Sequence, residues 1–99
     1  MENGVATVNK ERIKIKKPRH YKVVMHNDDF TPMDFVVYIL MTIFSKGKEE
    51  AYDLMMQVHK SGSAIVGIYT YDIAKTKEAE TITLARIEGY PFKVSVEKE

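Results

Sequence analysis

Apolar and polar positions alternate from Tyr21 to His26, with Tyr21, Val23 and Met25 on one side and Lys22, Val24 and His26 on the other. That period of two predicts a β-strand. It stops at Asn27-Asp28-Asp29, whose side chains bond nearby backbone amides and so favour a turn. Thr31-Pro32-Met33-Asp34 then reads as a helix start, with Thr31 as cap, proline at the first helical position and Asp34 in a capping-box position. The helix that follows, through Phe44, is apolar almost all round, so it is buried on several sides or presents a surface to a ligand. Ser45-Lys46-Gly47 breaks it.

A second helix is predicted over Lys48 to Lys60, where Ala51, Leu54, Met55 and Val58 form one stripe, ended by Ser61-Gly62. Ala64 to Tyr69 is β-rich and apolar on both faces, which predicts a central strand. Thr70 or Asp72 can cap a third helix reaching about Glu88, with a weak stripe of Ala74, Ile82 and Ala85. Gly89 stops it and Pro91 bars its resumption. Phe92, Val94 and Val96 alternate with polar residues in a last strand. The order β-α-α-β-α-β predicts an α/β (α+β) sandwich, three helices packed on a three-stranded antiparallel sheet.

At 99 residues the chain has room for one small domain and a tail. A composition of 44% hydrophobic and 29% charged residues is that of a globular protein. No apolar run reaches the roughly 20 residues that span a bilayer. The start, Met1-Glu2-Asn3-Gly4, lacks the apolar core of a signal peptide, which points to a cytosolic chain. Without cysteine there is no disulfide framework, thiolate metal site or cysteine nucleophile. Residues 1–22 hold seven bases against two acids, although the whole chain carries only +1. A basic head on a mildly acidic body suits an anionic partner or a merely solvated tail. Residues 1–18 are expected to be a flexible extension, with Ile13-Lys14-Ile15-Lys16 able to form a short edge strand, and residues 19–99 the folded domain.

His26-Asn27-Asp28-Asp29 is the segment richest in chemistry. Two carboxylates before a helix amino terminus can serve the helix dipole alone, or they can meet a cation, either a metal or an ammonium group. Adjacent aspartates diverge, and His20, His26 and His59 show no ligand spacing, so no metal is expected. No Ser/His/Asp or paired-carboxylate spacing identifies a nucleophile and base, so no enzyme is expected; a metal-dependent hydrolase around Asp28, Asp29 and His59 would need both a divalent ion and turnover. A nucleic-acid or ribosome-associated module using the basic arm is the alternative binding role, weakened by the arm's lack of aromatic residues for stacking.

Taken together, the motifs resemble the ClpS family, adaptors that hand N-degron proteins to the ClpA-type AAA+ unfoldase of the ClpAP protease. The resemblance runs from about Lys17-Pro18 nearly to the carboxyl end. It rests on Tyr21-Lys22-Val23-Val24, on Asn27-Asp28-Asp29-Phe30-Thr31-Pro32-Met33-Asp34-Phe35-Val36, and on Leu54-Met55-Met56-Gln57-Val58-His59. Gly62-Ser63-Ala64-Ile65-Val66-Gly67 and Thr76-Lys77 complete it.

The resemblance implies binding of proteins that begin with Leu, Phe, Tyr or Trp, with no cofactor, metal, nucleic acid or membrane, by a monomer in a bacterial cytoplasm or, less in keeping, a plastid. It implies that Asn27, Asp28, Asp29 and His59 surround the substrate's α-amino group. Thr31 falls at the rim, while Met33, Val36, Met55 and Val58 line a side-chain pocket. Phe92 is placed at that pocket too, where the family commonly carries an aliphatic residue. Asp72, Thr76 and Lys77 are implied contacts of the unfoldase, and the extension before Pro18 is implied in delivery.

Overall fold

In the computed structural model, which describes residues 18–99, the alternation around residues 21–25 becomes the middle of a sheet. Strand β1 (His20–His26) lies between β2 (Ser63–Thr70) and β3 (Lys93–Lys98), antiparallel to both, in the order β2-β1-β3. Val23 and Met25 of β1 are 0% exposed. They share one side of the sheet with Ala64 and Val94, which lie opposite Met25 in register, and with Val96 opposite Val23. Helices α1 (Met33–Thr42), α2 (Lys48–Ser61) and α3 (Tyr71–Ile87) cover that side. Ile39 and Leu40 of α1, Met55 and Val58 of α2, and Ala74 and Ala85 of α3 complete one core with Val23 and Met25. Each large apolar side chain buried in this way contributes roughly 1.5–3 kcal/mol.

Three local expectations change. First, β2 is an edge strand, not a central one. Its pairing with β1 slips between Val23, opposite Gly67, and Val24, opposite Ile65, so Val66 is an extra residue in a bulge. Ala64 and Val66 reach the core by ordinary alternation, and the bulge shifts the phase so that Ile65 and Ile68, three residues apart, both lie on the outer face, 48% and 47% exposed. Apolar residues on both faces therefore signal a bulged edge here. Second, the α1 cap is Pro32, with extended backbone (φ −66°, ψ 146°), and no side chain caps the helix. Thr31 stands one residue before the cap position, and its hydroxyl donates to Asp28. Third, Thr81 is fully buried on the inner side of α3, while Ile82 is only half-buried. Its hydroxyl donates to the Lys77 carbonyl at 2.8 Å, which satisfies the polar atom inside the core.

The connections are short and held by backbone bonds. Gly62 adopts a left-handed conformation (φ 91°) and its N–H donates to the Val58 carbonyl, turning the chain from α2 into β2 within one residue. After α3, Gly89 is also left-handed (φ 83°) and its N–H donates to the Arg86 carbonyl, while the Arg86 guanidinium donates to the carbonyls of Tyr90 at 2.7 Å and Phe92 at 3.2 Å. Tyr90 and Phe92 both pack edge-on against Phe35 of α1. The extension expected over residues 1–18 lies, apart from Pro18, outside the described residues, as does the short strand expected at residues 13–16.

Candidate functional site

The end of β1 and the end of α2 are brought together by the sheet itself. His26 pairs with Ser63, and one step on the Asn27 N–H donates to the Gly62 carbonyl at 2.9 Å. This bond seats the Asn27-Asp28-Asp29 turn against the last turn of α2, which carries His59. The turn then closes on Asp28. One carboxylate oxygen accepts the N–H groups of Phe30 at 2.8 Å and Thr31 at 2.7 Å, and the other accepts the Thr31 hydroxyl at 2.7 Å. Burial alone would raise the Asp28 pKa. The Thr31 hydroxyl, the two backbone N–H groups and the nearby Arg86 charge outweigh it and hold the carboxyl below its ordinary value. Asp28 is thus an ionised organiser of the loop, and Asp29 beside it is exposed.

These residues border a cavity of about 360 Å³. Asn27, Asp28, Asp29 and His59 supply its polar end. Met33, Val36, Met55 and Val58 supply an apolar wall from the first turns of α1 and the last turns of α2, with Thr31 between. All nine lie in the sequence-derived set. Phe92 does not line the cavity; it is 1% exposed and packs in the core against Phe35. Phe30 and Pro32 line it and were not singled out from the sequence. Phe30 gave no signal of its own, being one aromatic residue in a polar turn.

A cavity with carboxylate, carboxamide and imidazole acceptors at one end and methionine and valine walls behind suits one kind of ligand: an ammonium group attached to an apolar side chain. Among the described residues no three His, Asp or Glu side chains are grouped to hold a metal ion. His26 Nε2 lies 2.8 Å from the Ser95 hydroxyl on the outer sheet face, but Glu97 accepts from Ser95 and does not orient the imidazole, so the trio lacks the relay of a hydrolase. No described helix is long and apolar enough to cross a membrane. Five of the seven bases of residues 1–22 lie outside the described residues.

The three residues implied in partner binding sit on α3, away from the cavity. Asp72 and Thr76 are exposed one turn apart. Lys77 is half-buried: its Nζ donates to the Ile43 carbonyl at 2.8 Å and lies over the rings of Phe44 and Tyr69, at 5.7 and 5.4 Å from their centroids. Its charge joins α3 to the carboxyl end of α1, where a cation is favoured.

Residues 16–95 match the family model described as ATP-dependent Clp protease adaptor protein ClpS. The chain is 53% identical over 85 residues to the ATP-dependent Clp protease adapter protein ClpS of Treponema denticola, covering 86% of this chain and 84% of that protein. It is 44% identical over 96 residues to the adapter of the same name from Hyphomonas neptunium, covering 97% of this chain and 81% of that protein. Among solved structures it is similar to Agrobacterium tumefaciens ClpS2 bound to L-phenylalaninamide, with a TM-score of 0.81 and 37% identity over 84% of this chain and 100% of that one.

Proposed function

Because the chain belongs to the ClpS family of Clp protease adaptors, we propose that it captures proteins by a free amino-terminal Leu, Phe, Tyr or Trp and passes them to the ClpA-type AAA+ unfoldase of that protease. The observation that carries this reading is the single cavity in which Asn27, Asp28, Asp29 and His59 adjoin Met33, Val36, Met55 and Val58. L-phenylalaninamide, the ligand of the Agrobacterium relative, has both of the groups such a cavity suits, a free α-ammonium and a large apolar side chain.

The ammonium carries a positive charge and three donors. Asp29 offers charge from the exposed side of the turn, the Asn27 carboxamide offers an oxygen to the amine and N–H groups to the peptide, and His59 offers a ring nitrogen. Asp28 adds its field while its oxygens hold the loop. Burying a Leu or Phe side chain contributes roughly 1.5–3 kcal/mol, and each hydrogen bond to a charged group about as much. The loss of translational freedom offsets much of this gain, which suits a transient hand-off. In this reading the adaptor acts as a monomer.

On α3 the exposed Asp72 and Thr76 face the unfoldase, with Lys77 anchoring the helix beneath them. The basic stretch before Pro18 takes part in delivery. The test is titration with short peptides that begin with Leu or Phe beside their amino-acetylated forms. Acetylation removes the charge and two donors, and affinity should fall at least about a hundredfold. Equal binding of the two forms would overturn the reading.

A further inference from the structure

The cavity does not end at the pocket wall. Phe30 borders it, yet its side chain is 75% exposed, the most exposed of the large apolar residues in the described chain. Leaving a phenyl ring in water is unfavourable, and a Ser or Asn at this turn position would satisfy the loop equally well. The ring is not on a loose segment either. Its backbone N–H donates to the Asp28 carboxylate at 2.8 Å, and the next N–H and hydroxyl, both of Thr31, are fixed to the same carboxylate. Three hydrogen bonds therefore present Phe30 at a set place on the rim. Met33, 43% exposed, continues the apolar surface between Phe30 and the wall made by Val36 and Met55.

We propose that Phe30 is the contact for the second residue of the captured polypeptide and gives this adaptor a preference for aromatic or large aliphatic side chains at that position. The inference rests on the amine-capture reading above. With the first side chain in the pocket and the α-ammonium at the polar end, the peptide must leave through the mouth. The second side chain then emerges beside the rim, one residue (about 3.3–3.6 Å of chain) further on. A ring held there covers an apolar second side chain and excludes water from one face of the first peptide unit. Glycine at that position offers it nothing to cover. An aromatic pair adds about 0.5–1.5 kcal/mol to burial, which is roughly a two- to tenfold preference.

The experiment measures fluorescence-anisotropy affinities of Leu-Phe and Leu-Gly peptides, otherwise identical, for the native chain, Phe30→Ala and Phe30→Tyr, with acetylated Leu-Phe alongside. The readout is the ratio between the two free peptides within each protein, so a general loss of affinity or stability in a variant cancels. The native chain should favour Leu-Phe by roughly two- to tenfold, Phe30→Ala should bring the ratio close to one, and Phe30→Tyr should restore it. A native ratio of one, or a preference that survives Phe30→Ala, overturns the role of Phe30. Failure of the underlying reading looks different: acetylated Leu-Phe would then bind as well as the free peptide, and both proposals would fall together.

Discussion

Asp28 and Asp29 are neighbours in sequence with different tasks. Asp28 accepts three hydrogen bonds within its own turn, whereas Asp29 is exposed at the mouth of the cavity. Because the Asp28 carboxyl is held below the ordinary 3.8, the folded chain binds its proton less readily than the unfolded chain does. Its stabilising contribution is therefore complete above that value and disappears as pH falls through the lower folded value. We expect Asp28→Asn to lower the melting temperature at neutral pH, and the gap from the native chain to close as the pH is taken below the carboxylate range; a gap constant with pH would remove the charge from the argument. Met33, half-exposed, lines the cavity, and on the proposed reading it would meet the β-carbon of an incoming first residue. Peptides beginning with Ile should bind at least several-fold more weakly than those beginning with Leu, and Met33→Ala should narrow the difference, as measured by calorimetric titration. Equal binding of the two by the native chain would take Met33 out of that role.

At the scale of elements, the site depends on where a strand and a helix stop. Gly62 stands at φ 91°, a region costing other residues about 1–2 kcal/mol, and its carbonyl accepts the Asn27 N–H. Gly62→Ala should lower stability by about 1 kcal/mol in urea unfolding and, by loosening the turn against His59, weaken peptide capture by more than the loss of stability explains. Element order and approximate boundaries were legible because the period switches cleanly from two to 3.6 and back, with Gly62, Gly89 and Pro91 as punctuation. The place of β2 in the sheet was not, because a bulge at Val66 exposes Ile65 and Ile68 together and imitates a strand buried on both faces. Thr31 misled for a related reason: it has the chemistry of a helix cap, and only the three-dimensional turn shows that Asp28 takes its hydroxyl. Lys77 reads as surface charge in sequence, yet the Ile43 carbonyl and two rings claim its side chain.

For the whole molecule, the grouping of the candidate site was legible from its motifs, since Asn27, Asp28, Asp29, Met33, Val36, Met55, Val58 and His59 converge on one cavity. The resemblance places Phe92 at it, but the core claims a ring that can pack edge-on against Phe35. The cavity has two walls from segments distant in the chain, the β1–α1 turn and the end of α2, joined on the backbone at Asn27 and Gly62. A molecule seated there would act as a clasp across that seam, and an occupied clasp must be released before the two segments can part. Saturating the protein with a free-amine Leu peptide at a hundred times its dissociation constant should therefore add about 2.7 kcal/mol to unfolding, and the acetylated peptide almost nothing. Hydrogen exchange at the Asn27 amide would report the difference, slowing only when the clasp is shut. The adaptor would then be most rigid while it carries cargo, and would slacken at that seam once the cargo is pulled away.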